Sequence, residues 1–390
     1  MDARGRRGPL ISALFFTWFF AAGIWTLNAL RRPVPPGHRF PPLWLPGMLI
    51  SELAPLFFLE RVLIAVLFIA AGALRLGIGQ AGLVLFAVSQ VGLLWVMGRS
   101  IIGARRTGHS PPISTFFRLW ERLPDGVTRV TEVPYADGLT LDIYIGEVLG
   151  PAPTLLYVHP GSWMRGRPGR QARALFHRLA RRGWVVLDIR YPLSPAATFP
   201  EHLIGVKRAI VWAKTGGAGY GVDPDRVVIS GGSSGAHLAA LAALTDANND
   251  LQPGFEAADA SVVACIPFYG IYDLLIRNPT RIDWPFIARY VLKAGADEAP
   301  DLYRLGSPID QVHSGAPPFL VVHGGFDSIV LPEESRHFVT ALQAAGVDAR
   351  YLEVEGAQHG FDAVASLRTR AVANSCVDWL ERTLVSGRSG

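Results

Sequence analysis

The chain is predicted to join an apolar helical region at its N-terminus to a mostly parallel α/β fold with helices on both faces, on three observations. Residues 1–110 carry long apolar runs and almost no acidic charge. From about residue 110, short β-branched runs alternate with helix-forming segments. One alternation, VVISGGSSGAHLAALAAL over residues 227–244, reads as a strand, a tight glycine turn and a helix.

The N-terminal region divides as follows. Residues 10–30 are nearly uncharged and long enough to span a bilayer. Arg4, Arg6 and Arg7 ahead of them would suit a signal peptide, but the apolar stretch is too long for one and lacks a small-x-small cleavage site. A proline-rich connector follows over 33–46. Residues 56–74 and 78–97 then read as a helical hairpin turning at 75–80, and 43–59 as either a further span or an interfacial segment. Glu60 and Arg61 either pair within a span or mark the boundary between two shorter helices. The expectation is a membrane region over 1–107 with about three spans, followed by a catalytic domain over 108–390. With three spans, Arg31, Arg32, Arg39, Arg99, Arg105 and Arg106 outnumber Arg4, Arg6, Arg7 and Arg75 on the opposite side, which places the second domain in the cytoplasm.

The same division accounts for the charge. The chain has a net charge of +5, yet residues 1–110 hold eleven arginines against Asp2, Glu52 and Glu60. The remainder is mildly acidic, so no nucleic-acid partner is expected. The two cysteines, Cys265 and Cys376, lie in apolar or amphipathic surroundings and read as small buried hydrophobes. Their spacing suggests neither a metal site nor a disulfide framework.

In the second region, VTRVTEV and LTLDIYI flank a turn and form an antiparallel hairpin. Strands are expected over 154–158, 184–189, 226–230, 262–267, 318–323 and 349–354. The helices between and after them are 172–182, 202–214, 234–244, 331–345 and 366–385. That alternation produces a parallel sheet covered on both faces.

Chemistry concentrates at Gly231–Gly235, a G-x-S-x-G pentapeptide between strand and helix. It places Ser233 at the tip of a strained turn with its hydroxyl exposed. A serine hydroxyl needs a base, and the base needs an orienting carboxylate. In the chain order Ser, Asp, His that accompanies such an elbow, the strand ending VVHGGFDSIV provides Asp327 and the strand ending EVEGAQHGF provides His359. Both follow strand C-termini, where sites gather in parallel sheets. Asp362 and Asp301 are rivals for the carboxylate. His109, His177, His202, His237, His313 and His337 fit surface or structural positions better. The oxyanion requires backbone donors: Ser234 after the nucleophile, and Gly161 and Ser162 in the loop HPGSW. That loop corresponds to an HGGG-type loop, with Pro160 replacing one glycine and lacking an N–H, and Ser162 adding a side chain that narrows the pocket. Trp163 reads as packing or pocket wall.

Together HPGSW, RYPLSPAATFP, GVDPDRVVISGGSSGAHLA, HGGFDSIV and QHGF resemble the α/β-hydrolases. They are closest in pattern to the hormone-sensitive-lipase-like and related bacterial carboxylesterases, over about two-thirds of the chain. The resemblance implies an α/β-hydrolase fold, a Ser233–Asp327–His359 triad and hydrolysis of a small-molecule ester through an acyl-enzyme, with no cofactor and no metal. It also implies a cap over the site, for which 272–308 is the candidate. Aryl formamidases and feruloyl esterases share the group, so amide or formamide hydrolysis and acyl transfer remain open on the same triad. A non-catalytic receptor on a hydrolase fold is a more distant alternative. The bilayer is the expected second partner and favours lipophilic esters, while the oligomeric state is not legible.

Overall fold

The computed structural model describes residues 3–31, 44–117, 121–148, 150–278, 280–281 and 283–386. The proline-rich connector up to residue 43, with Arg32 and Arg39, lies outside these.

Three N-terminal helices come first: α1 (Ala3–Leu30), α2 (Trp44–Ala70) and α3 (Gly77–Arg106). The segments Gly8–Leu30, Trp44–Ala70 and Gly77–Arg106 are each long and apolar enough to cross a membrane, with mean hydropathies of 1.8, 2.3 and 1.9. Large apolar side chains such as Leu14, Leu63, Val66, Val88 and Trp95 remain exposed on them. Arg61 answers one question the sequence left open. It is buried and donates to Thr26 Oγ1 of α1 at 2.6 Å, so its recorded hydrogen bond is to another helix rather than to Glu60.

α2 bends. Leu53 leaves helical geometry (φ −114°, ψ 20°) just ahead of Pro55. Proline lacks an N–H and its ring clashes with the carbonyl four residues earlier, so the helix turns there. The first arm buries Gly47, Met48, Ile50, Ser51 and Glu52. Residues 43–59 are therefore neither a separate span nor a separate interfacial helix in the described part, but the docked arm and bend of α2.

The rest is an eight-stranded sheet of β1 (Thr128–Ala136), β2 (Leu139–Ile145), β3 (Ala152–Val158), β4 (Val185–Ile189), β5 (Val222–Gly232), β6 (Ala264–Phe268), β7 (Phe319–Gly324) and β8 (Ala349–Val354). The spatial order is β1-β2-β4-β3-β5-β6-β7-β8. β2 pairs antiparallel with β1 and β4, and every later pairing is parallel. The helices are α4 (Arg173–Arg181), α5 (Glu201–Thr215), α6 (Ser234–Leu244), α7 (Pro300–Leu305), α8 (Pro332–Ala344) and α9 (Leu367–Ser386).

Strand periodicity divides the core in two. On β3, Leu156 and Val158 join one cluster with α5, α6 and α8, through residues such as Leu203, Leu238 and Phe338. Leu155 and Tyr157, one residue out of phase, join the other with α4 and α9, through Phe176 and Val377. Both cysteines are free and buried in these clusters, as their sequence contexts suggest. The fold is thus an α/β-hydrolase sheet whose parallel strands carry their C-terminal ends to one edge.

Candidate active site

Ser233 sits between β5 and α6 with φ +53° and ψ −119°, a backbone conformation that L-residues rarely adopt. Its neighbours explain the turn. A Cβ added at Gly231 would lie 2.4 Å from Gly235 O, and one added at Gly235 would lie 2.1 Å from Val158 O. Only glycine lets the first turn of α6 pass this close to β3 and β5. Ser233 N donates to Phe268 O at 2.9 Å, which ties the elbow to the end of β6. The residues on either side are buried or nearly so, whereas Ser233 stays half-buried and lines a cavity.

The loops after β7 and β8 are tied together by backbone bonds. Gly325 N donates to Val354 O and Phe326 N to Ala357 O, each at 2.9 Å. Those bonds bring Asp327 and His359 face to face across 32 residues. His359 Nδ1 lies 2.6 Å from Asp327 Oδ2, and His359 Nε2 lies 2.9 Å from Ser233 Oγ. The second carboxylate oxygen of Asp327 accepts from Ile329 N at 2.8 Å and Val330 N at 2.9 Å. Burial alone would push this carboxyl up. The charge of His359 and hydrogen bonds from His323 and His359 outweigh burial and hold it down at about 2.

The loop after β3 forms the facing wall. Gly161 has φ +142°, and a Cβ there would lie 1.7 Å from Arg165 O. Ser162 and Trp163 follow at φ +56° and +57°. The N–H groups of Gly161 and Ser162 have no acceptor among the described residues, and Ser234 is the first residue of α6, where helical N–H groups have no partner within the helix. The side chain of Ser162 is exposed, at the cavity mouth. The cavity holds about 760 Å³ and is lined by Ser233, His359 and this loop, with Trp284 and Phe286 from the 272–308 segment that the sequence marked as a cap. Among the described residues, no group of three or more His, Cys, Asp or Glu side chains is placed to hold a metal ion.

The BD-FAE family profile matches residues 141–342, more than half of the chain. The chain belongs to the BD-FAE family. Within this setting it is similar to Esterase LipQ of Mycobacterium tuberculosis, at 42% identity over 65% of this chain and 62% of that protein. It is similar to the probable carboxylic ester hydrolase LipM of the same organism at 38%, over 63% of this chain and 57% of that one. The chain therefore spans about three-fifths of the length of these curated relatives. Among solved structures, propionate-bound Est2 of Thermogutta terrifontis matches at 25% identity and a TM-score of 0.53, over 66% of this chain and 94% of that one. A truncated carbohydrate esterase from gut microbiota matches at 24% identity and a TM-score of 0.57, over 66% and 97%, and supports the fold alone.

Several residues around this BD-FAE site were not singled out in the sequence. His323, the penultimate residue of β7, is fully buried, with Nε2 2.9 Å from Val330 O and 3.1 Å from Asp327 Oδ2. A carbonyl oxygen only accepts, so Nε2 carries the proton and donates to both; Nδ1 accepts from Ser335 Oγ at 2.6 Å. Tyr269, at φ +41°, packs its ring 4.7 Å from the His359 ring and donates its hydroxyl to Asp362. That accounts for Asp362, the sequence's rival for the orienting carboxylate, whose pKa burial raises to about 6 despite that hydrogen bond. His237 accepts from Trp163 Nε1 at 3.3 Å and donates to Gly306 O at 2.7 Å, linking the loop after β3 to the end of α7. Burial holds it neutral, with a pKa near 3. The other unexpected neighbour is Trp44, which reaches the cavity from α2.

Proposed function

We propose that this protein is a membrane-anchored serine hydrolase of carboxylic esters, in which Ser233 is the nucleophile, His359 the general base and Asp327 its orienting carboxylate. The observation that carries this reading is the continuous line Ser233 Oγ, His359 Nε2, His359 Nδ1, Asp327 Oδ2, with links of 2.9 and 2.6 Å. Asp327 accepts from Nδ1–H, which leaves Nε2 with its lone pair toward the serine hydroxyl. As Ser233 Oγ attacks the acyl carbonyl, its proton passes to Nε2. The resulting oxyanion is held by the N–H groups of Gly161, Ser162 and Ser234. Collapse breaks the ester C–O bond, the alcohol leaves with the proton from Nε2, and water repeats the sequence to release the acid.

The esterase relatives support the reaction class, and the apolar helices support a bilayer anchor. The cavity lining includes Met164, Ile271, Trp284, Phe286 and Ile329, which suits an ester with a lipophilic portion. The arginine balance across the spans favours a cytoplasmic catalytic domain.

Ser233→Ala tests the assignment. Turnover of p-nitrophenyl butyrate by the detergent-solubilised full chain is expected to fall by at least about 10³-fold, with labelling by a fluorophosphonate probe lost and the melting temperature retained. A variant that still turns over and still takes the label would remove Ser233 from the mechanism.

A further inference from the structure

The cavity wall nearest the N-terminal bundle comes from α2, and it carries an inference that rests on the hydrolase reading above. Trp44, the first residue of α2, lines the cavity together with Ser233 and His359. Its indole N–H donates to the backbone carbonyl of His359 at 3.0 Å, joining residues 315 apart in the chain. The indole ring stands edge-on to the imidazole with centroids 6.3 Å apart. A Cβ on the next residue, Gly360, would already touch Trp44 Cζ2 at 3.7 Å.

The first arm of α2 is fastened to the same stretch of chain at its other end. Glu52 forms a fully buried ion pair with Arg368 at 2.6 Å and accepts from Ser366 Oγ at 2.6 Å. Arg368 also donates to Ser51 O at 2.8 Å and to Glu355 O at 3.0 Å. From α3, Arg99 pairs with Glu355 at 2.7 Å. Residues 355–368, which carry His359, are thus gripped by the apolar helices at His359, at Glu355 and at Arg368.

We propose that α2 is a working part of the active site: Trp44 is a positioning residue for His359 and supplies the bundle-side wall for the hydrocarbon arm of an ester substrate. An imidazole that must keep Nε2 on Ser233 Oγ loses rate steeply when its loop shifts, and a donor on its own carbonyl opposes that shift. Beyond Trp44, Leu45 is exposed, and past the bend α2 continues into the exposed apolar side chains Leu59, Leu63 and Val66. The wall therefore runs without a break into the surface that faces lipid, so a substrate carrying a hydrocarbon chain meets apolar protein from bilayer to nucleophile.

The test uses the full chain in phosphatidylcholine vesicles with p-nitrophenyl acetate and p-nitrophenyl decanoate. Trp44→Phe keeps a ring but removes the donor; it is expected to lower kcat on both esters by about 3- to 10-fold with KM within about twofold. Trp44→Ala is expected to lower kcat likewise and to raise KM for the decanoate by about tenfold, leaving KM for the acetate nearly unchanged. Kinetics of both variants matching wild type on both esters would overturn the proposal. So would a Trp44→Ala loss that is equal on the two esters while Trp44→Phe is unaffected, since that is the mark of general destabilisation. Fluorophosphonate labelling separates the two readings: unlabelled wild-type protein sinks the hydrolase assignment, whereas labelled wild type with unaltered Trp44 variants sinks only this one.

Discussion

Asp327 is enclosed on all sides, yet four donors converge on its two oxygens: two backbone N–H groups on Oδ1, and His359 and His323 on Oδ2. Its carboxyl is held at about 2 against an ordinary value of 3.8. A depressed carboxylate stabilises the folded state above the unfolded value and loses that contribution as pH falls through the folded one. The difference corresponds to about 2 kcal/mol near neutral pH, present above about pH 4 and fading toward pH 2. Asp327→Asn is therefore expected to lower the melting temperature at pH 7 and to converge on wild type near pH 2.5, while kcat falls about 10³- to 10⁴-fold because the imidazole loses its orienting anion. A melting-temperature gap that does not change between pH 7 and 2.5 would contradict this electrostatic account. At this scale the sequence was informative where chemistry dictates spacing. Ser233, Asp327 and His359 each follow an apolar strand and lie among turn residues, so their convergence could be anticipated. His323 stood out less, because a histidine near the end of a strand looks like any other core residue. Its one legible signal was the four-residue spacing to Asp327.

Strands β3 to β8 could be read from their β-branched apolar runs, since burial on both faces leaves little alternative to a parallel sheet. The geometry of α2 could not. Pro55 signalled a break, but what the first arm packs against is decided by Arg368 and Ser366, more than 300 residues away. The Glu52–Arg368 pair gives a prediction at this level. Replacing Glu52 with Gln strands a buried guanidinium without its counter-charge, so a loss of about 3–5 kcal/mol is expected, read as a fall in melting temperature in detergent. Glu52→Leu combined with Arg368→Met is expected to recover part of that loss. Recovery stops short of wild type, because Ser51 O and Glu355 O lose their donor. A double variant less stable than Glu52→Gln would show that the pair contributes net stability rather than a charge that merely has to be neutralised.

Across the whole molecule, α1 and α3 both lead toward the sheet-bearing part and α2 leads away from it, so an odd number of crossings separates the N-terminus from the active site. The ends of the bundle differ in charge. Arg31, Arg99, Arg105 and Arg106 lie at the end next to the sheet, and Arg75 marks the turn at the other. Two of these arginines, Arg99 and Arg106, also pair with Glu355, so the same side chains serve both docking and orientation. Short flanking segments rich in arginine are retained in the cytoplasm. A C-terminal green fluorescent protein fusion in a bacterial host is therefore expected to fluoresce, and a C-terminal alkaline phosphatase fusion to be inactive. Replacing Arg31, Arg32 and Arg39 with Gln should weaken the bias without touching the ion pairs to Glu355, and so raise the fraction of phosphatase-active molecules. Strong phosphatase activity from the unaltered chain would invert the assigned orientation. It would place the ester-binding cavity on the outer face while leaving the contacts between α2 and His359 as they are, because those depend on packing and not on which side of the bilayer they face.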